Sequence, residues 1–155
     1  MHKTGLGRSR PERVQQVIAG DESVHQYASY VPIGEAASKL RGWKQQGAEI
    51  VYLSSQKARA ILKSDREMLA RHSFPEGELE FRQALESYPG VVQRVLPDIL
   101  IEDDCESIGG RKEMTYPNLP PDLKTRINSI VVPEFGGIDD LPDDISALKE
   151  FRGSV

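Results

Sequence analysis

Apolar residues recur along the chain with two periods, one near 3.6 and one of short continuous runs, and the two alternate. Ser9 and Glu12 have capping-box spacing with Pro11 between them, which predicts a short helix through Val14, Val17 and Ile18 that Gly20 ends. Ile33, Ala36, Ala37 and Leu40 fall at i, i+3, i+4 and i+7, one face of a helix that Gly47 stops. Ala48-Glu49-Ile50-Val51-Tyr52-Leu53 then reads as a buried strand opening onto Ser54-Ser55. A helix from about Lys57 to His72 comes next, then a short strand Leu79-Glu80-Phe81-Arg82. Val91, Val92, Val95 and Leu96 mark a helix stopped by Pro97, and the apolar strand Asp98-Ile99-Leu100-Ile101 runs directly into Glu102-Asp103-Asp104. Cys105 to Pro121, rich in Gly, Pro and polar residues, predicts a long loop before a last strand, Asn128-Ser129-Ile130-Val131-Val132. Residues 143–151 add a terminal helix.

Strands alternating with helices of this length predict right-handed crossovers and a mostly parallel sheet covered on both faces, an α/β, three-layer, doubly wound fold. Ligands of such sheets gather at the carboxyl ends of the strands. Ser54-Ser55 and Asp103-Asp104 are both strand-end clusters, so both are expected on one edge.

The chain has 155 residues, the length of one domain, so a single unit over 1–155 is expected. It is 38% hydrophobic and 28% charged, enough apolar mass for one core. No run approaches the roughly 18 apolar residues that cross a bilayer, which excludes a membrane partner of that kind. Twenty Lys plus Arg against 24 Asp plus Glu leave a net charge of −4, so general binding to nucleic acid is not expected. One cysteine, Cys105, and the absence of a charged-then-apolar leader make a cytoplasmic location the default. His2, His25 and His72 are too scattered for a zinc site. Residues 1–10 are basic and glycine-containing, and are read as a mobile loop; Thr4-Gly5-Leu6-Gly7-Arg8 could alternatively wrap a phosphate.

Three consecutive carboxylates past a buried strand repel one another unless a cation or basic group sits among them. Oxygen ligands of this kind suit Mg²⁺, which takes one or two carboxylates and leaves its other positions to water and phosphate. A solvated acidic turn fits the same residues. Ser54 and Ser55 could donate to a phosphate, or cap the helix after them. Cys105 reads as an inert thiol, since its neighbours carry the wrong charge to lower its pKa.

These strand ends resemble the haloacid dehalogenase-like (HAD) phosphohydrolases over roughly residues 30–140. Ile50-Val51-Tyr52-Leu53-Ser54 looks like the strand that supplies a phosphate ligand, and Ile99-Leu100-Ile101-Glu102-Asp103-Asp104 looks like the strand that supplies magnesium ligands. The strings Glu102-Asp103-Asp104-Cys105-Glu106-Ser107-Ile108-Gly109-Gly110 and Glu134-Phe135-Gly136-Gly137-Ile138 resemble a cap-less prokaryotic branch. The resemblance implies Mg²⁺-dependent hydrolysis of a small phosphorylated metabolite or nucleotide, with Ser54 and Ser55 on the phosphate and Asp103 and Asp104 on the metal. Arg82, with Arg94 second, takes the role of the basic residue that balances charge.

The family's nucleophile is an aspartate ending the first strand, with a second aspartate two residues on, and the 155 residues hold no such pair. The basic loop His2–Arg8 resembles the segment just after that motif, as if the chain began one strand late. In the family that strand is central, between those ending at Ser54 and Asp103. Unpaired buried amides cost roughly 1–3 kcal/mol each against a total stability of about 5–15 kcal/mol. The expectation is therefore that the gap does not stay open. The neighbours close, another segment or chain fills the slot, or the protein starts upstream; the last is favoured because residues 1–10 hold no apolar run. The alternative function is a non-catalytic HAD-like module that binds phosphate or Mg²⁺.

Overall fold

The computed structural model describes residues 1–54, 59–83 and 85–153. Helix α1 (Arg10–Ile18) starts where the capping-box spacing puts it: the Ser9 amide and hydroxyl both donate to the Glu12 carboxylate at 2.7 Å. Helix α2 (Ala36–Gln45) begins three residues later than the apolar stripe suggests. Gly34 takes a left-handed φ of +52° beside Asp139, whose carboxylate accepts from the Glu35 amide, so a loop 104 residues away sets the start. At its other end Gly47 has φ +95°, and the Ala48 amide reaches back to the Trp43 carbonyl at 3.0 Å, the geometry that glycine permits past a helix end.

The strands are β1 (Val51–Ser54), β2 (Glu78–Phe81), β3 (Ile99–Asp103) and β4 (Asn128–Val132). Helix α3 (Arg59–Arg71) joins the first two and α4 (Tyr88–Val95) leads into the third. Leu96 ends α4 in the left-handed region at φ +50°, one residue before Pro97. The segment expected as one long loop contains 3-10 turns at Gly110–Lys112 and Tyr116–Asn118 and a short helix α5 (Pro121–Lys124). It is packed rather than free, since Met114, Thr115 and Leu119 are buried. Helix α6 (Ile145–Glu150) is last in chain order, capped by the Asp144 carboxylate on the Ala147 amide at 2.8 Å.

The architecture is mixed α/β, and every strand pair is parallel. Among the described residues the strands do not form one sheet. They divide into two pairs, β1 with β2 in register Val51 to Glu78, and β3 with β4 in register Ile99 to Asn128. Side chains alternate across β3–β4. Ile99, Ile101 and Val132 pack with Ile130 against Trp43, Leu141 and Leu148, while Leu100 joins Val92, Leu119 and Ile127 on the opposite face. That pair is therefore covered on both sides.

The phase of the backbone bonds shows which edges are unused. The Asn128 amide donates to Asp98 and the Asp104 amide to Val132, so the alternate residues Ile99, Ile101 and Asp103 turn their amides and carbonyls away from β4. The Glu78 amide donates to Ile50, so Val51 and Leu53 turn theirs away from β2. Among the described residues no strand pairs with either outward edge. Closure of β1 on β3 through backbone bonds, one of the three ways of filling the gap, is not found among the described residues. Instead the Leu53 side chain packs against the cluster around Leu100, and the Tyr88 hydroxyl donates to the Leu53 carbonyl at 3.4 Å. The outward residues are half-buried, with Asp103 exposed, so water reduces the cost that a fully buried edge would carry.

Residues 1–10, read from sequence as a mobile loop, pack against the rest of the chain. The Met1 ammonium donates to the Val31 carbonyl at 2.6 Å, and the Val31 amide returns a bond to Met1 at 2.9 Å. His2 is 1% exposed, bonded through Nε2 to Gln16 and set edge-on to Phe135. Among the described residues no helix is long and apolar enough to cross a membrane.

Candidate functional site

Ser54 ends β1, and its hydroxyl donates to Asp65 of α3 at 2.9 Å. Ser55, the second expected phosphate ligand, lies outside the described residues. Asp65 had no motif to mark it: it meets Ser54 because α3 folds back from the end of the strand.

The three consecutive carboxylates solve their mutual repulsion by turning to separate donors. Glu102 accepts from the Thr115 and Tyr116 amides at 2.6 and 2.8 Å, tying the 110–119 segment to the strand end. Asp103 accepts from the Cys105 amide at 2.8 Å. Asp104 accepts from the Glu134 and Glu106 amides through Oδ1 at 2.9 and 3.3 Å, and its Oδ2 faces Arg10 Nη2 at 3.5 Å. Arg10 also pairs with Glu106 and donates through Nε to the Glu134 carbonyl at 2.9 Å. The basic group expected among the acids is thus an arginine from the first helix. Glu134 in turn accepts the Ser107 amide and hydroxyl, both at 2.7 Å, so the loops after β3 and β4 are laced together.

Among the described residues no group of three His, Cys, Asp or Glu side chains could hold a metal ion. The donor set does fit the sparser mode of Mg²⁺, one or two carboxylates with water elsewhere, because Asp103 is exposed and offers an oxygen beyond its bond to Cys105. Asp104 fits less well, since Arg10 already neutralises its outward oxygen. Burial and the charge of Asp103 push the Cys105 thiol up to about 12, and Cys105 sits at φ +51° in the turn. The thiol is therefore neutral, as its acidic neighbours predict.

Of the two basic candidates, Arg94 is committed elsewhere. It pairs with Glu80 at 2.6 Å and Glu86 at 3.3 Å and donates to the Phe81 carbonyl at 3.3 Å, fastening α4 to the end of β2. Arg82 directly follows β2, and its charge acts on the Tyr88 hydroxyl.

Tyr88 is the residue that sequence reasoning missed. It opens α4, with the Ser87 hydroxyl accepting from the Gly90 amide at 3.1 Å and Pro89 in the first turn. That Ser-x-Pro signal was available and places the helix start at Tyr88 rather than Val91. Burial, then the charges of Glu102 and Asp103, hold its phenol well above the usual tyrosine range, against an opposing influence from Arg82. One hydroxyl thus touches the end of β1 and feels the charges at the ends of β2 and β3. The carboxyl ends of strands are where a parallel α/β fold presents its ligands.

No protein-family model, curated protein or solved structure matches the chain.

Proposed function

We propose that the chain is a HAD-like domain, a three-layer doubly wound sheet without its central strand. It binds a small phosphorylated metabolite or nucleotide with Mg²⁺ at the shared ends of β1 and β3, in a lineage that hydrolyses phosphomonoesters. The observation that carries this reading is the division of the strands into β1–β2 and β3–β4. A HAD sheet lacking its central strand would divide in that order, with the serine-ending and aspartate-ending strands on either side of the break. Ser54, with Ser55, would bind the phosphoryl group and Arg82 would balance its charge. Asp103 with Asp104 would hold Mg²⁺, which when bound neutralises charge on phosphoryl oxygens. The covalent route of the family needs an aspartate nucleophile, and the 155 residues contain no Asp-x-Asp. A strand bearing that motif would pair with the outward groups of Val51 and Leu53 and with those of Ile99, Ile101 and Asp103.

The test is to extend the chain at its amino end with an apolar strand ending in Asp-x-Asp and to assay p-nitrophenyl phosphate and a panel of phosphomonoesters with and without Mg²⁺. Mg²⁺-dependent turnover that vanishes when the first aspartate becomes asparagine is the expected result. No turnover across the panel, in an extended chain that melts cooperatively, overturns the catalytic reading.

A second reading, a non-catalytic phosphate- or Mg²⁺-binding module, draws on the Arg10–Asp104 pair, which gives one of the two metal ligands a built-in counter-ion. It is favoured if the 155-residue chain gains stability with Mg²⁺ and phosphate while the extended chain shows no turnover.

A further inference from the structure

The geometry points to Tyr88 as a ligand-binding residue: its hydroxyl, beside the carboxyl end of β1, donates to an anionic oxygen of the phosphorylated ligand. The inference rests on the phosphate-binding reading above and adds to it a neutral donor that neither strand motif supplies.

Three observations carry it. First, the hydroxyl's partner is the Leu53 carbonyl at 3.4 Å, at the outer limit of a hydrogen bond, so the proton is held loosely and can turn to a better acceptor. Second, Leu53 immediately precedes Ser54, so the phenol sits beside the β1 end on which the phosphate site was placed. Third, the charges of Glu102 and Asp103 act on the hydroxyl and that of Arg82 opposes them. An added cation at Asp103 would offset the acidic charges that act on that hydroxyl and leave it free to donate to an anionic oxygen. A phenol suits that place because it stays protonated beside carboxylates and brings no charge of its own. Hydrogen bonds from such a donor to an anion are shorter and stronger than to a neutral carbonyl, so the exchange of Leu53 for phosphate is favourable.

The experiment uses the 155-residue chain, Tyr88→Phe, and orthophosphate in millimolar Mg²⁺, reading phosphate affinity by calorimetry and the ligand-free Tm by scanning fluorimetry. The expected result is that Y88F keeps its ligand-free Tm within a degree or two and binds phosphate about tenfold more weakly, as losing one hydrogen bond to a charged group predicts. Equal affinities for both proteins overturn the role of Tyr88 and leave the phosphate-binding reading standing. A ligand-free Tm that drops by several degrees marks the hydroxyl as a structural tie to Leu53 and overturns the role as well. If the unaltered chain shows no phosphate binding with Mg²⁺ present, the underlying reading fails and this inference fails with it. A further variant, Ser54→Ala, separates the two: it weakens phosphate binding if the site exists, whatever Tyr88 does.

Discussion

Arg10 and Asp104 stand 94 positions apart in sequence, yet the guanidinium of the first helix lies 3.5 Å from the carboxylate that ends the β3 run. The pair couples the amino-terminal segment to the acidic strand end, and it decides how freely Asp104 can meet a cation. Both side chains are about a third exposed, so solvent screens the pair and its contribution to stability is about 1 kcal/mol or less. Its electrostatic effect on a divalent ion is larger, because a fixed positive charge beside the site opposes entry.

Arg10→Ala is therefore expected to lower the Tm by no more than a few degrees and to enlarge the stabilisation given by millimolar Mg²⁺. Scanning calorimetry of both proteins across a Mg²⁺ series measures this. An Mg²⁺ response no larger in the variant than in the parent removes Asp104 from the cation site.

Cys105 comes directly after the acidic run and carries a thiol pushed up to about 12, by burial first and by Asp103 next. Alkylation requires the thiolate, whose population at pH 8 falls roughly tenfold for each unit the pKa rises. Iodoacetamide labelling of the folded chain at pH 8 is expected to run at least about a hundredfold more slowly than in urea, where the thiol returns to its ordinary range. Mass spectrometry over a time course gives both rates, and comparable rates contradict the assigned environment.

The features that could be read from sequence were local. Ser9 with Glu12, the glycine at 47 and the β-rich runs ending at Ser54 and Asp103 each rest on contacts within a few residues, and their elements stand where those contacts put them. The turn of Leu96 into the left-handed region has no sequence cue of that kind, because a leucine adopts it only when the packing around α4 demands it. The candidate site shows the same division. The acidic run is visible in sequence, but the donors that divide it, the Thr115 and Tyr116 amides for Glu102 and Arg10 for Asp104, come from distant parts of the chain. The unpaired outward edges of β1 and β3 among the described residues, and the half-buried setting that tolerates them, are properties of the folded chain.

The amino terminus supplies a pH dependence. Burial, and then the charge of Arg13, lower the Met1 ammonium from 8.0 to about 6. Between those values the unfolded chain holds the proton more tightly than the folded one, so stability rises as the pH climbs from about 6 to about 8. Below about 6 both states are protonated and the destabilisation is complete; above about 8 both are neutral and it is gone. A two-unit shift corresponds to a ceiling of about 2–3 kcal/mol. Urea melts of the 155-residue chain at pH 5.5, 7 and 8.5 are expected to show midpoints that rise in that order, and a midpoint that falls from 5.5 to 8.5 contradicts the burial of the amine.

The two basic candidates stand on different elements, Arg94 on α4 and Arg82 just past β2, and that placement predicts separable phenotypes. Arg94 is held by Glu80, Glu86 and the Phe81 carbonyl, so Arg94→Gln releases a clasp between α4 and β2. It leaves two carboxylates without their counter-ion in a solvent-screened setting, and the expected outcome is a Tm lowered by a few degrees at most, with phosphate affinity unchanged. Arg82 stands past the end of β2 and acts on the Tyr88 hydroxyl. Arg82→Gln is expected to weaken phosphate binding at least fivefold, with a steeper loss at low salt, where screening is weakest. Phosphate titrations of the two variants at 20 and 200 mM salt measure both. If Arg94→Gln weakens phosphate and Arg82→Gln does not, the charge-balancing role belongs to α4, and the site lies further along the helix than the strand ends imply.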